Sequence, residues 1–111
     1  MSMYNLKDVM RINQEIGENG ELRDKSSLEF ALYITKSKKS WLYELSYIVR
    51  SIVIDHPFMD GNKRTAYILC TLYFEENNKY YSDQKLVESI LKIARKNITD
   101  INKIGRVLLA C

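Results

Sequence analysis

The residues best equipped for chemistry fall in one stretch, His56-Pro57-Phe58-Met59-Asp60-Gly61-Asn62-Lys63-Arg64-Thr65. An imidazole titrates near neutral pH, so His56 can take a proton from an attacking hydroxyl. Asp60 supplies a hard oxygen ligand, suited to Mg²⁺ held jointly with nucleotide phosphates. Gly61 marks a tight bend, and Asn62 is followed at once by two cations, Lys63 and Arg64. At a helix start, this run collects unpaired N–H groups, the positive end of the dipole and two side-chain charges at one point. Such a gathering fits a di- or triphosphate better than a lone anion. It is not a Walker A loop, which needs Gly, four residues, then Gly-Lys-Ser/Thr. Mg²⁺ at Asp60 would bridge phosphate oxygens and offset charge developing in a transition state.

Each residue also has a plainer reading. His56 is the one histidine in the chain; alone, it reads as a structural imidazole at a helix C-terminus. Lys63 and Arg64, taken singly, read as solvated helix charges, and Phe58 as a core anchor that fixes the loop. His56 and Asp60 would share a face on a helix, but Pro57 and Gly61 argue against a helix there. A transition-metal site would need more ligands than these two. The concentration of base, carboxylate, amide and cations around one glycine turn favours catalysis over the separate structural roles.

These side chains need elements to hold them, and the periodicity predicts six helices. The first runs from about Asn5 to Gly17, with Asn5 as its cap and Leu6, Val9, Met10 and Ile16 on one face. Leu22-Arg23-Asp24 reads as a short connector. Ser26-Ser27-Leu28-Glu29 reads as a capping box, with Glu29 reaching back to the Ser26 amide. The helix it opens carries Leu28, Ala31 and Leu32 inward and stops near Thr35. The polar run Thr35-Lys36-Ser37-Lys38-Lys39-Ser40 is a surface loop, with a second reading as a flap that grips a target segment. Ser40 caps a third helix, about Trp41 to Asp55, whose apolar stripe makes it central. The fourth, about Asn62 to Glu76, is apolar almost all round and is expected to be the most buried. Ser82 caps a fifth from about Asp83 to Lys96, and Thr99 caps a short sixth with Ile101, Ile104 and Leu108. The expectation is one compact all-α domain over residues 1–111, its candidate loop lying between the two central helices.

Composition narrows the class. With 46% hydrophobic and 28% charged residues, the chain falls among ordinary globular domains. A formal net charge of +3 from 17 Lys+Arg and 14 Asp+Glu is too slight to argue for nucleic acid, and no helix is basic along one face. No apolar run approaches the roughly 20 residues of a membrane span, and no secretory leader opens the chain. Cys70 lies in an apolar helical run and Cys111 is the last residue, so reduced thiols in a cytoplasmic protein are expected.

His56 to Arg64 resembles the signature of the Fic/Doc family, His-x-Phe-x-Asp/Glu-Gly-Asn, then Gly or Lys, then Arg. Every specified position is matched in order. Leu22-Arg23-Asp24 with Leu28-Glu29 and Ala31 is similar to the region before that motif in Doc-like proteins. The resemblance implies transfer of a phosphate-containing group from a nucleotide to a protein hydroxyl. It makes His56 the general base, Asp60 the Mg²⁺ ligand and Phe58 the buried loop anchor. Gly61, Asn62, Lys63 and Arg64 become the anion site for ATP phosphates.

Family members that transfer AMP usually have Gly where this chain has Lys63, and a second Arg where it has Tyr67. Both departures resemble the kinase-like Doc branch, in which the γ-phosphate of ATP faces the histidine. That branch implies a toxin that phosphorylates a threonine of elongation factor Tu and is neutralised by an antitoxin. The alternatives are an AMP- or other NMP-transferase and a catalytically silent module that keeps the fold. The family's self-inhibitory pattern, Ser/Thr-x-x-x-Glu-Gly/Asn, is not met. Gln14 and Leu72 stand where Ser or Thr is required before Glu18-Asn19 and Glu76-Asn77. The resemblance therefore implies restraint by a separate chain.

Overall fold

The computed structural model describes residues 4–34 and 40–111, so the flap reading for Lys36 to Lys39 lies outside the described residues. Six helices follow in order: α1 (Leu6–Glu15), α2 (Ser26–Ile34), α3 (Trp41–Asp55), α4 (Asn62–Glu76), α5 (Asp83–Arg95) and α6 (Ile101–Leu109). The all-α expectation holds. Among the described residues the one β-type pairing is an isolated antiparallel bridge between Leu22 and Phe58.

Capping chemistry sets most helix starts. Asn5 accepts from the Asp8 N–H while Asp8 reaches back to the Asn5 N–H, a reciprocal box that satisfies two end donors. Ser40 caps α3 and Ser82 caps α5, both as expected. Two starts differ from the sequence reading. The Ser26 amide is bonded by Asp24 rather than Glu29: Asp24 Oδ1 accepts from the Ser26 N–H at 3.0 Å and from its hydroxyl at 2.8 Å. Those two bonds hold the Asp24 carboxyl below the usual carboxylate range. Asp100, not Thr99, caps α6, because its carboxylate reaches the Lys103 N–H. A carboxylate one residue on accepts this N–H, and it also suits the positive helix end.

The burial ranking of α3 and α4 is the reverse of that expected. Helix α3 packs against α2, α4, α5 and α6. It buries Leu45, Ile48, Val49, Ile52 and Val53, and also Glu44, Ser46 and Ser51. Helix α4 buries Thr65, Ala66, Leu69, Cys70, Tyr73 and Phe74. Its first turn opens outward, with Lys63 and Arg64 exposed. Complete burial of one large aliphatic side chain contributes about 1.5–3 kcal/mol, so the α3 stripe is the main support of the fold. Among the described residues no helix is long and apolar enough to cross a membrane.

Candidate active site

The candidate loop leaves the most buried helix and enters the next one, so both of its ends are anchored in the core. Helix α3 ends at Asp55, and His56 closes it in the left-handed region, at φ 50° and ψ 62°. Histidine visits this region more readily than most residues, yet a non-glycine residue there stores about 1–3 kcal/mol. The conformation reverses the chain and leaves His56 exposed. No hydrogen bond engages its imidazole among the described residues, while its carbonyl accepts from the Arg23 guanidinium at 3.0 Å.

Pro57 and Phe58 turn inward. The Phe58 ring is fully buried in the core. The Pro57 carbonyl accepts from the N–H groups of Arg23 at 2.7 Å and Asp24 at 3.3 Å, and the Met59 N–H donates to Glu21 O at 3.3 Å. The connector between α1 and α2 therefore lies alongside the loop as a short extended partner. Its sequence carries no alternation that reveals this, since the pairing is with residues more than thirty positions away.

Asn62 closes the loop on itself. Its Oδ1 accepts from the Phe58 N–H and its Nδ2 donates to the Phe58 carbonyl, both at 3.0 Å. The Asn62 amide side chain is thus committed to Phe58, and what Asn62 can offer a phosphate is its backbone N–H. Gly61, at φ 76°, starts α4 without a side-chain cap. A Cβ there would sit 2.6 Å from Glu18 Cγ, so both the backbone angle and the packing select glycine.

The uncapped start leaves donors open. The Thr65 N–H returns to Gly61 O at 2.9 Å. The N–H groups of Asn62, Lys63 and Arg64 have no partner among the described residues. Lys63 and Arg64 are exposed and unpaired by any carboxylate in that set. A helix start with three open N–H groups and two free cations has the chemistry to hold an anion. Asp60, next to it, is exposed. Among the described residues no three His, Cys, Asp or Glu side chains gather in one place. A cation on Asp60 would therefore complete its oxygen shell from a ligand or water, as Mg²⁺ on phosphates does.

Asn13 was missed in the sequence. It is 1% exposed, and its Nδ2 donates to the Asp60 carbonyl at 2.9 Å and to Thr65 Oγ1 at 3.1 Å. Its Oδ1 accepts from the Gly20 N–H at 2.9 Å. One amide thus pins α1, the turn after it, the loop and the first turn of α4. A signal was present, because Asn13 falls four residues after Val9 on the apolar face of α1, where a polar side chain needs a reason. Tyr67, one turn into α4, donates to Asp83 Oδ1 at 2.6 Å, which pushes its phenol up to about 12.

No curated protein and no solved structure matches the chain. The family model described as Fic/DOC matches residues 4–74, from the residue before the α1 cap to the last turns of α4. That span is more than half of the chain and contains the loop, the connector paired with it, Asn13 and the open start of α4. On this match and this geometry, the chain belongs to the Fic/DOC family, a family of transferases in general.

Proposed function

We propose that the protein is a Doc-like protein kinase that transfers the γ-phosphate of ATP to a hydroxyl of a target protein. The observation that carries this is the start of α4. Three open N–H groups and two unpaired cations lie at the end of a loop whose other end presents an unengaged imidazole. His56 takes the proton of the acceptor hydroxyl as its oxygen forms a bond to the γ-phosphorus. The bond from that phosphorus to the β–γ bridging oxygen breaks, and ADP leaves. Asp60 would hold Mg²⁺, which when bound supplies charge neutralisation on the phosphate oxygens. Lys63, Arg64 and the backbone N–H groups keep the triphosphate in line.

Lys63 and Tyr67 favour phosphate over AMP transfer, because the family's AMP-transferring members usually have Gly and Arg there. Tyr67 brings no positive charge, and its hydroxyl is already given to Asp83. By the same resemblance, the target is a threonine of elongation factor Tu and the setting is a toxin–antitoxin pair with a separate antitoxin chain.

The test is incubation with Mg²⁺, elongation factor Tu and ATP labelled on either the α- or the γ-phosphate. Transfer of γ-label alone, abolished by His56→Ala, is the expected result. Transfer of α-label would instead make the protein an NMP-transferase. A growth arrest unchanged by His56→Ala would make it a silent module.

A further inference from the structure

Two local preferences push His56 away from the backbone conformation it adopts. It stands at φ 50° and ψ 62°, a left-handed pair that is costly for any residue with a Cβ. It also precedes Pro57, and clash with a proline ring drives the preceding residue toward extended angles. Left to those preferences, the chain would leave α3 extended and aim the imidazole elsewhere. Strain of this kind persists only where the surroundings over-determine it. The contacts that hold His56 must therefore come from outside its own segment.

They come from residues 23–27. The Arg23 guanidinium donates to the His56 carbonyl at 3.0 Å. The N–H groups of Arg23 and Asp24 donate to the next carbonyl, that of Pro57, at 2.7 and 3.3 Å. On the other side of His56, the Ser27 hydroxyl bonds to the Asp55 carboxylate and lies 3.0 Å from the Ser51 hydroxyl. Asp24 in turn accepts from the Ser26 N–H and hydroxyl, which ties the connector to the start of α2. Asp55, His56 and Pro57 are each gripped by this one segment, and none of the bonds uses the imidazole.

We propose that Arg23 is a positioning residue for His56. Its guanidinium locks the left-handed turn that presents the imidazole to the acceptor hydroxyl, a role that rests on the phosphotransfer reading above. The chemistry suits the task. The last carbonyls of a helix have no intrahelical partner, and the negative end of the dipole lies there. A guanidinium answers both with a charge-assisted bond. Among the described side chains, Arg23 is the one with a hydrogen bond to His56; Ser27 reaches only the residue before it. Arg23 is exposed, so its replacement leaves the core intact.

His56 is the single histidine of the chain, so its ring gives one Cε1–Hε1 signal in a proton–carbon NMR spectrum, readable without substrate. Arg23→Ala should split or broaden that signal as extended conformers become populated. Arg23→Lys, which keeps a cationic donor, should restore a single sharp signal. In transfer of γ-label from ATP with Mg²⁺, Arg23→Ala should lower kcat by about threefold to tenfold, the scale of one exposed hydrogen bond, while KM for ATP stays within about twofold. A ring signal that stays single and sharp in Arg23→Ala, or an unchanged kcat, overturns the proposal. Ser27→Ala, which releases Asp55, should disturb the ring signal less than Arg23→Ala does. An equal or greater disturbance overturns the assignment of the hold to Arg23. Absence of γ-transfer by the unaltered chain, with the ring signal split in Arg23→Ala, overturns the phosphotransfer reading and leaves the hold of Arg23 on His56 standing.

Discussion

His56 sits in a backbone conformation that its own side chain resists, and glycine would be more comfortable there. The left-handed angle lets the chain leave α3 and turn into Pro57, whose ring then packs inward. Replacement by glycine removes the clash of Cβ with the carbonyl. His56→Gly should therefore raise unfolding stability by about 1 kcal/mol in urea denaturation while eliminating the proposed phosphotransfer. A loss of stability would mean that the imidazole has a structural partner. This is the pattern expected where a functional side chain occupies a position that the fold alone would give to glycine. Gly61 shows the opposite case. Its φ of 76° favours glycine, and a Cβ there would sit 2.6 Å from Glu18 Cγ, so here the fold itself selects the residue.

At the scale of elements, the site depends on how four separate segments are tied. The connector is bonded to the loop through backbone groups, the loop is closed by Asn62, and Asn13 joins α1 to both. Asn13 makes its contacts where water has little access, so removing its side chain leaves the buried Gly20 N–H without an acceptor. Asn13→Ala should cost about 1–3 kcal/mol in unfolding stability. Hydrogen exchange of the Met59 and Thr65 amides, bonded to Glu21 O and Gly61 O, should rise more than that of α3, because the bonds from Asn13 to Asp60 and Thr65 go too. An even rise across the molecule would show that Asn13 serves the core generally and does not hold the loop. Helix ends teach the same lesson about elements. Ser40 and Ser82 act as caps on the helix that follows directly, whereas Asp24 bonds the Ser26 amide from outside the Ser-x-x-Glu box.

Across the whole molecule, the tyrosines couple the fold to alkaline pH. Burial, then the charge of Glu76, pushes Tyr4 up to about 12. The bond to Asp83 does the same for Tyr67, and burial raises Tyr73 and Tyr81. For a phenol, a raised value means that the folded state binds the proton more tightly than the unfolded chain. The stabilisation is then complete below the unfolded value of about 10 and is lost as pH rises toward about 12. Unfolding midpoints in urea should fall steeply over that interval. Tyr67→Phe should make the fall shallower, since one of the coupled phenols is gone. An identical slope in the variant would show that Tyr67 titrates alike in both states.

The sequence by itself determined six helices, the loop between α3 and α4, and the family. Those features rest on local rules: apolar spacing along a helix, a cap beside its own first turn, and a contiguous run of chemistry-bearing residues. Only the tertiary structure decided that Asn62 spends its amide on Phe58, that Asn13 is the central tie, and that α3 is more deeply buried than α4. It also decided that the connector pairs with the loop. Each of these is a contact between residues whose meeting depends on how helices pack, and packing distances are written in no local pattern. His56 to Arg64 could be read because its residues are neighbours in the chain; the segments that hold it in shape are neighbours only in space.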